Sequence, residues 1–303
     1  MGLYQKHRPQ TFEELKGNKN LISTLKGLFK QPEKLPHSFL FVGSTGCGKT
    51  TLARIVANEL GCTQNNIIEI DTAQFTGIDT VRDIRKSAQF IPLGGGVRVF
   101  IIDEVHRMTG DAQNAFLKIL EDTPPHIYFI LCTTNENSLL GTIRGRCSRF
   151  EVSLLSDKEM TDLITEIAEK EGEMLNEEVI EQIVINGLGH PRDTINILEQ
   201  VLATPEKRRL ATAQKSQLLQ SEGKELCQAL LKGNNWKTIN GILKGLKEQD
   251  PEGIRRIVLG YMSAVLLNSD NERAGLILEC FEEPFYNTNF PGLVSACYKV
   301  VKG

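Results

Sequence analysis

Apolar residues in the first half of the chain fall into short continuous runs, separated by stretches of helical periodicity. Phe39-Leu-Phe-Val42 is an apolar run ending at Gly43, the pattern of a buried strand that feeds a loop. From Thr50 to Leu60 the positions Leu52, Ile55, Val56 and Leu60 share one helical face, and Gly61 follows as a stop. Ile67-Ile-Glu-Ile70 is a second strand. Val81, Ile84, Ala88 and Ile91 make one stripe of a helix that Pro92 and Gly94-Gly-Gly96 end. Val97–Ile102 and Ile127–Leu131 are the third and fourth strands. A helix from Asp111 to Glu121 lies between them, closed by Pro124-Pro125, and Phe150-Glu-Val152 is a candidate last strand. Alternating strands and helices predict an α/β fold with a largely parallel sheet.

After Ser156 no strand alternates with the helices. Ser156-Asp-Lys-Glu159 is a capping box, opening a helix with Met160, Leu163, Ile164 and Ile167 on its apolar side. Glu177–Ile185 and Asp193–Leu202 are further helices, so 153–204 reads as a small helical domain. Residues 205–220 are polar and basic, with Lys207-Arg-Arg209 and Gln214-Lys215, and form a linker or an exposed helix. Helical patterning returns from Lys224, with Leu226, Leu230 and Leu231, then Ile239, Ile242 and Leu243, then Ile254 to Leu267. The aromatic residues Phe281, Phe285, Tyr286 and Phe290 are either core or an assembly surface. The expected division is 1–152, 153–204 and 205–303.

Composition narrows the class. The 303 residues are 40% hydrophobic and 24% charged, ordinary for a soluble globular chain, and the length allows about two domains. No apolar run reaches the roughly 18–20 residues a membrane span needs, and the first residues lack the apolar stretch of a secretory signal. No membrane partner is expected. Seven cysteines without a CxxC pair predict reduced thiols. The net charge of −3 neither advertises nor excludes nucleic acid, because the local face decides.

Candidate chemistry starts at Gly43-Ser44-Thr45-Gly46-Cys47-Gly48-Lys49-Thr50, followed by Thr51. It meets the spacing G-x-x-x-x-G-K-T between a strand and a helix. The glycines let backbone N–H groups turn toward phosphate oxygens, and the helix aims its positive end at them. Lys49 would neutralise the terminal phosphates and the Thr50 hydroxyl would ligate Mg²⁺. Asp103 and Glu104 end the third strand, where parallel sheets bind ligands. Asp103 suits Mg²⁺ and Glu104 suits the attacking water. Asn135, after the fourth strand, is either a phosphate or water contact or part of a common turn. Arg144, Arg146 and Arg149 form either a solvated basic turn or a source of an arginine for a neighbour's nucleotide. Arg192, in Gly189-His-Pro-Arg-Asp193, opens a helix.

Lys6-His-Arg-Pro9, Phe12-Glu-Glu-Leu15, Gly17-Asn18, the P-loop, Asp103-Glu-Val-His106, Asn114 to Glu121, Thr133-Thr-Asn135, Gly145-Arg-Cys147 and Pro191-Arg-Asp193 follow one another in a familiar order. The chain resembles the ATPase subunits of sliding-clamp loaders, bacterial DNA polymerase III gamma/tau and the replication factor C small subunits. The resemblance covers residues 3–204 and is architectural beyond them. It implies an AAA+ ATPase domain, a helical lid and an all-α collar, with ATP and Mg²⁺ as cofactors. It places Tyr4, Arg8 and Lys16 near the adenine. Lys49, Thr50, Asp103, Glu104 and Asn135 match the family's catalytic positions, Arg146 its arginine finger and Arg192 its lid sensor. Gly145 stands where the family usually carries serine. The zinc-binding cysteine cluster of gamma/tau is missing, so no zinc is expected.

The implied partners are other loader subunits in a pentameric assembly, a sliding clamp and primer–template DNA, in a bacterial cytoplasm or a eukaryotic nucleus. Arg82, Arg85, Lys86 and Gln89 share one helical face that by resemblance tracks the DNA backbone, with Lys118 a weaker candidate. By resemblance the Met108–Asp111 stretch and the loop of Leu93 and Gly94 to Gly96 face the clamp. Two rival readings are another AAA+ DNA-remodelling machine and a nucleotide-binding scaffold without turnover.

Overall fold

The computed structural model describes residues 2–72, 76–92, 95–247, 249, 251–285 and 288–302. Leu93, Gly94 and Tyr286, singled out above, lie outside the described residues, as do the side chains of Gln214 and Lys215. The chain divides into two compact units, Met1–Ala203 and Thr204–Gly303.

The first unit runs α1 (Leu3–Lys6), α2 (Lys19–Phe29), β1 (Ser38–Val42), α3 (Lys49–Glu59), β2 (Ile67–Asp71), α4 (Ile78–Ala88), β3 (Arg98–Asp103), α5 (Gly110–Glu121), β4 (Ile127–Thr133), α6 (Gly141–Arg144) and β5 (Ser148–Glu151). It ends with α7 (Asp157–Lys170), α8 (Glu177–Gly187) and α9 (Pro191–Leu202). The five strands form one parallel sheet in the order β2-β3-β4-β1-β5. Successive side chains of a strand point to opposite faces, and both faces here are covered. Leu40, Phe100, Phe129 and Leu131 pack with Val81 and Ile84 of α4 and Phe116 of α5. Phe39, Phe41, Val99, Ile101 and Ile130 pack with Leu25 of α2 and Leu52, Ile55 and Val56 of α3. Double coverage is why these strands read as continuous apolar runs. Each fully buried side chain of this kind contributes roughly 1.5–3 kcal/mol relative to exposure.

The helices expected from the sequence form with one correction, and α1, α2 and α6 are present beyond them. α4 ends at Ala88, and Ile91, assigned above to its apolar stripe, is 67% exposed. Arg98 accounts for the early stop. Its guanidinium donates to the carbonyls of Ser87 and, at 3.2 Å, Phe90, taking up groups at the helix end, and Pro92 disfavours helical geometry at Ile91. At the start of α7 the capping box forms in full, with Ser156 Oγ accepting from Glu159 N–H and Glu159 accepting from Ser156 N–H.

The second unit comprises α10 (Arg209–Leu231), α11 (Trp236–Gly245), α12 (Pro251–Asn268), α13 (Glu272–Cys280) and α14 (Asn289–Lys302) around one apolar core. The stretch left open as linker or helix is helical from Arg209 onward. Phe281 and Phe285 are buried in this core and Phe290 packs against it, which favours core over assembly surface for these three.

Candidate nucleotide site

The loop after β1 is built by close approach and by left-handed glycines. A Cβ at Gly43 would meet the Val152 carbonyl oxygen at 2.3 Å, so the loop can leave the sheet here only with glycine. Gly46 and Gly48 have φ of +77° and +108°, values that glycine adopts without strain. α3 then starts at Lys49, and its N-cap, Gly48, supplies no capping side chain. The first-turn N–H groups are therefore left for a ligand. Lys49 is 5% exposed, and its ammonium donates to the carbonyls of Gly43 at 2.9 Å and Ser44 at 2.8 Å.

The register of the sheet sets β1, β3 and β4 side by side with their carboxyl ends together. Thr50 Oγ1 donates to Asp103 Oδ2 at 2.7 Å. A hydroxyl and a carboxylate so placed are hard oxygen donors, a set that suits Mg²⁺. Glu104 has a left-handed backbone, φ +51° and ψ +38°, which for a side-chain-bearing residue is strained and is held here by its surroundings. Its N–H donates to Asp103 Oδ1 at 3.0 Å, and Thr72 Oγ1 donates to the carbonyls of Asp103 and Glu104. The Glu104 carboxylate accepts from Thr134 Oγ1 at 3.2 Å and lies 3.3 Å from His106 Nδ1, which is also 3.0 Å from Thr133 Oγ1. Burial pushes the His106 imidazole below its ordinary value, against the pull of the Glu104 charge.

The polar cleft is lined by Lys49, Thr50, Asp103 and Glu104 together with Tyr4, Thr51 and Arg192. Asn135 is not in this lining. Its amide oxygen accepts from Asn137 N–H and caps a short 3-10 turn, and the polar side chains beside Glu104 are Thr134 and His106. The cleft continues into an apolar slot formed by Pro9, Leu52, Val152, Leu155, Pro191 and Ile195, flanked by Tyr4, Arg8 and Lys16. Arg8 Nε donates to Thr51 Oγ1 at 3.1 Å, and Lys16 pairs with Glu166 of α7.

Arg192 stands over the Tyr4 ring, 5.0 Å from its centroid, and donates to the phenol oxygen at 3.4 Å. Burial raises the Tyr4 phenol, but the hydrogen bond and charge of Arg192, with Arg8 adding to them, outweigh it and leave the group below its ordinary value. Next to Arg192, His190 Nδ1 donates to the Thr45 carbonyl at 2.8 Å, so the loop before α9 rests directly on the P-loop. His106, Thr72, Thr134 and His190 are site residues that the sequence does not single out. Thr134, His106 and His190 lie inside the motifs named above, but the spacing does not reveal which neighbour each one reaches.

Arg146 is not in the cleft lining. It pairs with Glu121 at the end of α5 and donates to the Thr142 carbonyl at 3.0 Å. α5 has 12 residues and is about 18 Å long, and this arginine is fixed at its C-terminal end. Arg149 is held by Glu136 at 2.6 and 3.0 Å. On α4, Arg82, Arg85 and Lys86 are exposed, but Arg82 pairs with Asp79 at 2.7 Å and Lys86 with Asp83 at 3.6 Å. That face carries both signs, and Arg85 makes no ion pair among the described residues. All seven cysteines are free thiols, and burial pushes Cys147, in the arginine loop, up to about 12.

A parallel sheet with this P-loop, acidic pair and helical lid defines the class, an AAA+ P-loop ATPase fold. RuvB of Thermotoga maritima, a Holliday junction branch migration motor, shares that fold with a TM-score of 0.62 at 20% identity over 80% of this chain and 86% of RuvB. DNA polymerase III subunit gamma/tau of Mycobacterium tuberculosis is 35% identical over 226 residues, 67% of this chain and 39% of that protein. Subunit tau of Bacillus subtilis is 33% identical over 66% of this chain and 39% of its own length. The family model described as DNA polymerase III, delta subunit, matches residues 64–156, and that of Zeta toxin matches 20–85, the stretch containing the P-loop. The chain belongs to the DNA polymerase III gamma/tau family of clamp-loader subunits and spans 39% of the length of these two relatives.

Proposed function

We propose that this chain is an ATPase subunit of a sliding-clamp loader, using ATP binding and hydrolysis to open a clamp and place it on primer–template DNA. One observation supports the reading above the others. Lys49, Thr50, Asp103 and Glu104 meet in one polar cleft beside an apolar slot, in a chain of the gamma/tau family. The slot receives adenine, and the N–H groups of the P-loop and the first turn of α3 receive the phosphates. Lys49 exchanges its two carbonyl partners for phosphate oxygens. Thr50 and Asp103 would hold Mg²⁺, which would neutralise charge on the phosphates. Glu104 orients the attacking water, with Thr134 and His106 fixing its carboxylate and Asn135 closing the end of β4 nearby. Arg192 contacts the terminal phosphate from the lid.

Arg146 serves a neighbouring subunit's nucleotide, where an arginine supplied in trans accelerates transfer by about 10³–10⁵. Arg82, Arg85 and Lys86 contact the DNA backbone without reading sequence. In this reading 1–152 is the ATPase domain, 153–204 the lid and 205–303 the collar that assembles a pentamer in the cytoplasm.

Steady-state ATPase of the purified chain, alone and with partner subunit, clamp and primed DNA, tests the proposal. Joint stimulation by clamp and primer–template is the expected result. Stimulation by DNA with no clamp effect would indicate another AAA+ DNA-remodelling machine, and no turnover under any condition a nucleotide-binding scaffold.

A further inference from the structure

Tyr4 and Thr51 are the side chains, among the described residues, that line both the apolar slot and the polar cleft. Tyr4 also touches the lid arginine. Arg192 lies over its ring and donates weakly to its hydroxyl, and Arg8 sits 5.8 Å from the same ring. Arg192 makes no ion pair among the described residues, so the ring is its chief anchor. The two residues ride on elements that are fastened together. Leu3 N–H donates to Glu199 of α9 at 3.3 Å, and Lys6 and His7 both bind Glu171 at the end of α7. On the other side, Arg8 ties the same segment to Thr51 of α3.

We propose that Tyr4 is a positioning residue for Arg192, holding the lid arginine at the mouth of the phosphate cleft and thereby setting the preference of the site for nucleoside triphosphate over diphosphate. The inference rests on the reading of this cleft as a nucleotide site. Its physical basis is preorganisation. A free arginine side chain has many rotamers and must lose them to bind a phosphate oxygen, whereas one laid on a ring has already lost most of them. The cation–ring contact is weaker than a charge-assisted bond to phosphate, so it aims the guanidinium without competing for it. A diphosphate lacks the γ-phosphate that Arg192 would meet, so the ring should favour the triphosphate selectively. A Tyr4 that merely stacked on the base would help both nucleotides equally.

The test is competition titration of ATP and ADP against a fluorescent nucleotide on the full chain, for wild type, Tyr4→Phe, Tyr4→Leu, Arg192→Ala and the double variant Tyr4→Leu with Arg192→Ala. Tyr4→Phe keeps the ring and should keep most of the preference. Tyr4→Leu should lower the ATP-over-ADP ratio about three- to tenfold, the size of one partly exposed cation–ring contact with a weak hydrogen bond. In the Arg192→Ala background Tyr4→Leu should leave the ratio unchanged. Arg192→Lys leaves the Tyr4 segment intact and gives an independent reading. It keeps the charge but loses planar stacking, and the ratio should again fall. Equal weakening of ATP and ADP by Tyr4→Leu, an undiminished effect without Arg192, or an unchanged ratio in Arg192→Lys would each overturn the inference while leaving the nucleotide site standing. A wild-type chain that binds neither nucleotide would overturn both.

Discussion

Replacing Glu252 by alanine is expected to destabilise the C-terminal unit by about 3–5 kcal/mol. Glu252 is 4% exposed in the first turn of α12. Its carboxylate accepts from Arg255 Nε at 2.9 and 3.0 Å, from Arg255 Nη2 at 2.7 Å and from Phe285 N–H at 2.9 Å. Arg255 Nη1 reaches on to the carbonyls of Phe281 and Glu282, so the pair fastens α12 to the chain between α13 and α14. Alanine leaves a guanidinium that is only 12% exposed without this counter-ion, and the Phe285 N–H without its acceptor. The orphaned N–H alone accounts for about 1–3 kcal/mol of the loss. Glu252→Gln retains an acceptor and should cost less, about 1.5–3 kcal/mol. Removing both partners, Glu252→Met with Arg255→Met, should lie closer to wild type than Glu252→Ala, because no buried charge remains. The assay is urea and thermal unfolding followed by the fluorescence of Trp236, the chain's single tryptophan, which packs edge-on against Tyr298 in this unit. A loss of 3 kcal/mol lowers the transition of a domain this size by roughly 12–20 °C. A loss below about 1 kcal/mol would refute the reasoning, since it would mean that the pair is solvated and contributes no more than a surface contact.

Three further outcomes follow from the first unit. Arg146→Ala should lower clamp- and DNA-stimulated hydrolysis by about 10³-fold or more while nucleotide still binds, and turnover equal to wild type would remove Arg146 from the reaction. Arg85→Ala with Lys86→Ala should weaken primer–template binding and reduce its salt slope by up to about two, with Arg85 contributing more because Lys86 has Asp83 beside it; an unchanged slope would refute the contact. Acid should weaken this unit in two windows. The folded state holds His106 below its ordinary 6.5, so the unfolded chain takes up its proton first, and stability present above that value declines as the pH falls through it. Glu166 and Glu171, held below 4.5 mainly by hydrogen bonds from Lys16 and Lys6, add stability above that value that is lost as the pH falls through their lowered folded values. His106→Asn should abolish the upper window in a pH series of melting temperatures, and a decline of wild-type size in that variant would count against the assignment.

The parts of the structure that were legible in the sequence are those that local chemistry determines. Strands covered on both faces spell continuous apolar runs, and the P-loop and acidic pair are contiguous segments whose spacing follows from the backbone geometry they must adopt. The end of α4 was misread because Ile91 keeps the helical period while Arg98, ten residues after Ala88, binds the carbonyls at the helix end. The mixed charge of the α4 face was readable in Asp79 and Asp83, three residues before Arg82 and Lys86, and attention to the basic residues alone hid it.

The contacts between the lid and the P-loop were not legible, because they join residues 145 and 188 positions apart. Nothing local in Gly189-His-Pro-Arg192 distinguishes a solvated helix start from a clasp on the P-loop. Gly189 carries the one trace of it. Its φ is +77°, and a Cβ there would stand 2.9 Å from the Leu155 carbonyl oxygen. A glycine that precedes a proline-started helix by two residues reads in sequence as an ordinary helix entry. In the structure it lets the chain pass close over Leu154 and Leu155, just before α7, and in the same stretch His190 meets the Thr45 carbonyl and Arg192 rests on Tyr4. Beyond the side chains that line the apolar slot, this segment meets the P-loop through His190 and the Tyr4 ring through Arg192, contacts of which its local composition carries little trace.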